Sequence, residues 1–396
     1  MSKEIIDLGW QLYDRPASSL AVKKGDLLFI SGQAGVDPAT GKVVGQGDIV
    51  AQTHKAYENA AAVLEAAGAS FDDVVKTNEF ITTLENYKGT ADIRREYLTG
   101  GLPASTGIIV REHSRPGVLI EIEFIVSLDK SSPKEIINPG WDFFSRYSFS
   151  PGVRKGNLLF TSGFTAGEYD STTDTMFARD DMVYQTNFIY DKLNAILEAA
   201  GASFAEDVVQ TVDYITTRKD YRATGDTRRK HFRELIPAST AIVIQKLLLE
   251  PAYNEIDLMA VYGSKKELIY PNWPGRDFSK FSFAPGVKKG NMVVISGQTA
   301  SQIDPSTGEV VIKGDVEEQT RAIYQKIKDI LEAAGGSLRD LVRVTQYLTR
   351  AEDSLAAAKA RQEFFGDDFP TVNEVVVNGI FGPNPIIEVD GYAILD

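Results

Sequence analysis

The chain contains no cysteine, so disulfide bonds and thiolate chemistry are both excluded, an absence that suits a reducing compartment. Histidine is nearly absent as well. His54, His113 and His231 are the only three, and no His-x-x-x-His pair or carboxylate cluster of metal-ligand spacing accompanies them, so no catalytic metal is expected. Neither a Gly-x-Gly-x-x-Gly stretch nor a Gly-Lys-Ser loop occurs, which removes dinucleotide and nucleoside-triphosphate readings and leaves no cofactor to expect. Positive charge is in deficit: 42 Lys and Arg face 55 Asp and Glu, a net charge of −13. Affinity for nucleic acid comes from basic side chains that release counterions, so phosphate-rich partners are disfavoured. Long apolar runs are missing too. No stretch approaches the roughly 18 residues of a membrane span, and Met-Ser-Lys-Glu-Ile-Ile-Asp at the N-terminus lacks the basic and apolar regions of a signal peptide, so a cytoplasmic protein without a membrane partner is expected.

What the chain does have is repetition. Leu-Glu-Ala-Ala-Gly-Ala-Ser stands at 64–70 and again at 197–203, and Leu-Glu-Ala-Ala-Gly-Gly-Ser at 331–337, while Trp10, Trp141 and Trp273 recur near the start of each copy. A solenoid repeats every 20–50 residues or so and needs neighbours to complete a core. These units are of ordinary domain length, and with 43% hydrophobic and 24% charged residues each can bury a core of its own. The expected domains are 1–129, 130–263 and 264–396, joined by the short polar stretches around 128–134 and 263–266, which favour close packing of the units.

Each unit reads alike. Leu27 to Gly32, Leu158 to Gly163 and Met292 to Gly297 are β-rich runs entered after Gly25, Gly156 and Gly290, and they predict strands. Asp37-Pro38-Ala39-Thr40-Gly41 and Asp304-Pro305-Ser306-Thr307-Gly308 are hairpin chemistry in units one and three. Tyr57, Ala60, Leu64 and Ala67 share a helical stripe, repeated in the other units, with Gly68, Gly201 and Gly335 as caps. A strand follows (Asp73 to Thr83, Asp207 to Thr217, Leu341 to Arg350), then a second helix ahead of Pro103, Pro237 or Pro370, then two more strands. The order predicts an α+β sheet with both helices on one face.

The residues 25–33, the hairpin 37–43, Leu-Glu-Ala-Ala-Gly-Ala-Ser, Leu-Pro-Ala-Ser-Thr at 102–106 and Ile-Glu-Ile-Glu at 120–123 together resemble the Rid family, also called YjgF/YER057c/UK114, once per unit. The resemblance implies a chorismate-mutase-like fold. Family members are homotrimers of one such domain, so this chain would be a covalent pseudo-trimer, a monomer in solution, with sheets inward, helices outward and three inter-unit clefts. It also implies enzymes that hydrolyse imines and enamines, in which an Arg of a Pro-Ala-Arg motif grips the substrate carboxylate and a Glu on the last strand handles the attacking water.

This chain departs from that pattern. The Arg position holds Ser105, Ser239 and Val372; a family Asn is replaced by Ala91, Gly225 and Ala358; a family aromatic is Ser18 in unit one but Phe149 and Phe283 in the others. The Ser-Gly serines Ser31, Ser162 and Ser296 and the family acids Glu121, Glu255 and Glu388 remain. Arg94, Arg228 and Arg361 align on the second helix as a substitute cation, or as helix arginines paired with a nearby carboxylate. Glu79, Asp213 and Gln346 lie within the third strand. Glu79 with Glu121, or Asp213 with Glu255, would give acid/base chemistry if repulsion raised one pKa; the alternative is a polar lining where the three sheets meet. Glu123, Asp257 and Asp390 share a strand face with the family Glu. The expected sites are therefore Glu121, Glu255, Glu79 and Asp213 for catalysis, and Ser31, Ser162, Arg94, Arg228, Ser105, Ser239, Phe149 and Phe283 for substrate. The expected function is hydrolysis, deamination or tautomerisation of an enamine, imine or activated carbonyl compound; the alternative is non-catalytic binding of a small metabolite. Unit three has lost the most polar positions and is expected to carry the weakest site.

Overall fold

The computed structural model describes residues 2–10, 17–170, 172–173 and 175–396. In the first unit β1 (Glu4–Ile6), β2 (Ala21–Lys24) and β3 (Leu27–Ala34) precede α1 (Ile49–Ala66), β4 (Val74–Ile81), α2 (Thr90–Tyr97), β5 (Ala104–Ile109) and β6 (Ile120–Ser127). The β2–β3 hairpin turns through two residues, and Gly25 takes φ 61 there, as Gly156 and Gly290 do at 60 and 65; such turns match the strand twist only with positive φ. Asp48 starts α1 by accepting from the amides of Val50 and Ala51 at 3.0 and 3.1 Å. Gly68, at φ 70, ends it. The helix is repeated as Met182–Ala199 and Val316–Ala333.

The strands order as β1-β2-β3-β6-β4-β5, and the other two units repeat the same path. Only β4 and β5 run parallel, joined across α2. The expected hairpins form at Val36–Val43 and at Gln302–Ile303 with Val310–Val311; unit two adds one of its own, Glu168–Asp170 with Thr175–Phe177.

Alternation along β6 divides the sheet into two faces. Ile120, Ile122, Phe124 and Val126 join Tyr57, Ala60, Val63 and Leu64 in the core beneath the helices. Glu121, Glu123 and Ile125 therefore face the other way, toward the neighbouring units. A further cluster draws Phe80, Ile108 and Val110 from unit one, Val212, Tyr214, Ile242 and Leu247 from unit two, and Tyr347, Val375 and Ile380 from unit three, so the three inner faces pack on one another.

The contacts between units close a ring. Equivalent parallel bridges join Ala104 to Ser150, Ala238 to Ala284 and Thr371 to Ser19. The edge strand β5 is covered by Lys246–Leu247 of unit two, and its counterpart Ala238–Val243 by Gly379–Ile380 of unit three. Glu112 of unit one closes the circle by bridging to Val376. Part of the row of backbone donors and acceptors at the β5 end of each sheet is thereby paired by the neighbouring unit, which shortens the edge open to pairing with other chains. Among the described residues no helix is long and apolar enough to cross a membrane.

Candidate functional site

At each bridge the Ser-Gly motif of one unit meets the Pro-Ala-Ser segment of the unit before it. Ser162 Oγ donates to Ser150 O at 2.6 Å and accepts the Ser105 amide at 2.8 Å. Ser296 does the same with Ala284 O and the Ser239 amide, and Ser31 with Ser19 O and the Val372 amide at 3.2 Å. These hydroxyls, expected to contact substrate, are occupied in holding units together. The side chains of Ser105 and Ser239 accept from Thr77 and Thr211 at 2.9 and 3.2 Å.

The family acid lies against the glycine of the same motif. A Cβ on Gly32, Gly163 or Gly297 would come within 2.0, 2.0 and 1.9 Å of an oxygen of Glu121, Glu255 and Glu388, which is why glycine follows the serine: the carboxyl packs directly on its backbone. Methyls of Thr106 and Thr240, from the preceding unit, lie beside the same spots on Gly163 and Gly297. Gly163→Ala should thus push the Glu255 carboxyl out of place and cost about 1–3 kcal/mol by overpacking. Thermal melting checks this, and adding Glu255→Ala to the same chain should recover part of the loss.

Glu255 and Glu388 are each 5% exposed, and neither has an ion-pair or hydrogen-bond partner among the described residues. Burial, reinforced by Asp257 or Asp390 two residues on, pushes each carboxyl up to about 8. At neutral pH both are carboxylic acids, able to give a proton. Glu121 differs, with the His113 ring 4.0 Å away. His113, set aside in the sequence because it aligns with no other histidine, is brought there by the segment after β5, and its Nε2 lies 3.1 Å from Phe80 O.

Two expected groupings do not form. Phe80 lies opposite Glu121 and Ile122 opposite Glu79, and the same holds for Tyr214 with Glu255 and Ile256 with Asp213. Directly opposed residues share a face, so Glu79 and Asp213 lie on the helix side and Glu121 and Glu255 on the inner side. No carboxylate pair results, and Glu79 does not line the meeting of the sheets.

Glu79 meets Arg94 instead. Arg94 Nε donates to one Glu79 oxygen at 2.5 Å and its Nη2 to the other, while Tyr87 OH donates to Glu79 at 2.8 Å and accepts from Arg94 at 2.9 Å. In unit two Arg228 pairs with Asp213 at 3.1 Å and donates to Thr211 Oγ1 at 2.7 Å, with Tyr221 OH on Asp213 at 2.9 Å. Arg361 donates to Gln346 at 2.7 Å and to Ala17 O at 2.8 Å. The candidate cations are thus buried and, in units one and two, neutralised by the very acids proposed beside them. Tyr87 and Tyr221 belong to no motif of the chain, and their one signal in the sequence is that aligning the units shows Tyr at one position in two of them and Ser354 in the third.

The ring also regroups the residues. Arg94 reaches toward Ser148 of unit two at 3.4 Å and Arg228 toward Ser282 O of unit three at 3.4 Å. Charge on Glu255 is felt at Tyr87. At one junction Arg94, Ser105 and Thr106 of unit one therefore meet Ser148, Ser162 and Gly163 of unit two, on which Glu255 packs, and at the second Arg228, Ser239 and Thr240 meet Ser282, Ser296 and Gly297, on which Glu388 packs. The third sets Val372, Gln346 and Arg361 of unit three against Glu121 of unit one. The weakest lining is that of Glu121, and Glu388 belongs with the well-furnished side of unit two. Phe149 stacks on Tyr147 at 5.0 Å and Phe283 packs edge-on to Phe281 at 5.3 Å, each one residue from the serines that Arg94 and Arg228 approach.

The model of the family described as endoribonuclease L-PSP matches residues 15–128, 143–262 and 278–395. A RutC family protein of Pyrococcus horikoshii is 38% identical over 128 residues, 32% of this chain and 97% of the relative. A mouse 2-iminobutanoate/2-iminopropanoate deaminase is 36% identical over 107 residues, 27% of this chain and 78% of the relative. A chorismatase structure aligns over 81% of this chain and 93% of its own at 13% identity with a TM-score of 0.53, a likeness of fold.

Proposed function

We propose, from the premise that this chain belongs to the endoribonuclease L-PSP (Rid) family and carries its domain three times, that the clefts of Glu255 and Glu388 hydrolyse the C=N bond of a small imine, or of the imine tautomer of an enamine. The observation that carries this reading is the pair of buried, unpartnered carboxyls that stay protonated at neutral pH. The other acids of the inner faces outside the Ser-Gly clefts, and Glu79 and Asp213 of the helix side, are engaged by Lys76, Arg343, Arg94 or Arg228, and the helix-side Glu374 accepts from Gln346 at 2.8 Å. Relatives named 2-iminobutanoate/2-iminopropanoate deaminase support the reaction class.

The chemistry closes on one carboxyl. Glu255 or Glu388 gives its proton to the imine nitrogen, and the carboxylate so formed takes a proton from the water that adds to carbon. The restored acid then protonates the amine of the resulting carbinolamine, ammonia departs, and the carboxylate removes the hydroxyl proton as the carbonyl forms. Water and imine become carbonyl compound and ammonia, with the glutamate unchanged.

Binding of an anionic substituent has little support. The strand Arg is gone, and the guanidinium groups of Arg94 and Arg228 are spent on Glu79 and Asp213. Loss of such a charged contact costs on the order of 2–4 kcal/mol. Turnover of 2-iminopropionate, generated in situ by an amino-acid oxidase, should therefore be weak beside that of an uncharged imine; brisk turnover of the anion would show that an arginine leaves its acid to bind it. Ligand binding without turnover of either would favour a non-catalytic metabolite-binding protein. A nuclease reading is not favoured: the net charge is −13, and Lys76, Arg94, Arg228 and Arg343 are buried and paired.

A further inference from the structure

Where the three inner faces meet, a cavity of about 20 Å³ of water-centre space is lined by Lys76, Asn78, Gln210, Tyr214, Asp257, Arg343, Tyr347, Asp390 and Tyr392, among others. That is room for about one water-sized occupant. Around it the ring follows a register. Residue 76 of unit one reaches the acid of unit two, Lys76 to Asp257 at 2.9 Å, and its counterpart in unit three reaches the acid of unit one, Arg343 to Glu123 at 2.5 and 2.9 Å. The same register asks unit two for a cation facing Asp390. It supplies Gln210, which accepts from Tyr392 OH instead. Asp390 is left to share Arg343 at 3.2 Å, with Thr240 at 2.8 Å and Tyr347 OH at 3.1 Å.

The titratable groups around the cavity are Glu123, Asp257, Asp390, Lys76, Arg343, Tyr214, Tyr347 and Tyr392. Three carboxyls face two cations, so the cluster is one positive charge short. Two further oxygens point to what completes it. Asn78 donates its amide nitrogen to Glu123 at 2.7 Å, which fixes the orientation of the amide; its Oδ1, on a residue 7% exposed, has no partner. Tyr214 OH, on the same wall, has no hydrogen bond among the described residues. Burial lifts the Tyr214 hydroxyl well up, with Asp257 and Asp390 adding to the effect, and burial also raises the Asp390 carboxyl.

We propose that this central cavity binds one small monovalent cation, sodium, potassium or ammonium, on the oxygens of Asn78, Tyr214 and the Asp257 and Asp390 carboxylates, in place of the cation that Gln210 does not provide. Amide, phenol and carboxylate oxygens are hard donors that suit such an ion. A divalent metal is the poorer fit, since the deficit is one charge and no group of three His, Cys, Asp or Glu among the described residues could hold a metal. The site does not depend on the clefts being catalytic.

The test is thermal melting of the full chain at equal ionic strength in the chlorides of sodium, potassium, ammonium and choline. At least one small cation should raise Tm by several degrees over choline, with saturation as its concentration increases. Gln210→Lys, which places a tethered ammonium where unit one has Lys76, should abolish that dependence; Asp390→Asn, which removes the surplus charge, should abolish it too and serves if the lysine variant does not fold. Equal melting in all four salts would mean that a proton or a water balances the cluster, and a salt response that survives either variant would place the cation elsewhere; both results overturn the proposal.

Discussion

Replacing both Glu255 and Glu388 by Gln should lower kcat/KM for imine hydrolysis by about 10²–10⁴-fold, the usual worth of a positioned general acid/base. Melting should match the wild type near pH 4.5 and rise above it toward neutrality, because the amide keeps the size and polarity of the protonated carboxyl while the unfolded wild type alone gains by releasing protons. Each single variant should retain the turnover of the other cleft, and Glu121→Gln should matter least, since its cleft offers Val372, Gln346 and Ser354 where the others offer Ser, an acid and Tyr. The pH dependence has a definite sign. Each carboxyl is raised from 4.5 to about 8 on folding, so between those values the folded chain retains protons that the unfolded chain releases, and stability falls as pH rises through that window. The double variant should lack this part of the slope and gain on the wild type toward pH 8.

Arg94→Ala should be the most damaging single change to stability, at about 3–5 kcal/mol, because it leaves Glu79 as an uncompensated charge in the interior. Glu79 is 1% exposed and Arg94 5%, and Tyr87 loses its second partner with the guanidinium. Removing both charges together, as Glu79→Leu with Arg94→Met, should recover most of that loss, since the cost lies in the stranded carboxylate and not in the missing attraction. Chemical denaturation of the two single variants and the double variant reads the coupling. If Arg94 existed to hold a substrate anion, Arg94→Ala would instead melt near the wild type and change only KM.

Much of the architecture is legible in the chain because local chemistry fixes it. Gly25 can turn a tight hairpin, Asp48 can cap a helix, Gly68 can end one, and alternation in Ile-Glu-Ile-Glu sends Glu121 and Glu123 to one face. The site was less legible because it depends on long-range register. Whether Glu79 faces Glu121 turns on one residue of pairing between β4 and β6, and the ladder there is shifted by an irregularity between Val74 and Lys76. The sequence offers a nearby carboxylate as one partner for Arg94 and singles out Glu79 separately, but it does not state how a helix lies across a strand, so it does not join the two. Grouping residues by unit was the natural reading of a tandem repeat; the ring puts Arg94 with Glu255 and Val372 with Glu121, and that exchange follows only from which unit packs beside which.

The protonation state of Glu255 and Glu388 is the most direct test of the account. Infrared difference spectra between the wild type and the Glu255→Gln/Glu388→Gln variant, followed from neutral to alkaline pH, isolate the carbonyl stretch of these two acids. The account predicts a carboxylic-acid band at neutral pH that gives way to carboxylate with a midpoint near 8, the value to which burial raises both groups, in step with the loss of kcat/KM. Carboxylate bands already present at neutral pH, with activity unchanged through that range, would contradict it.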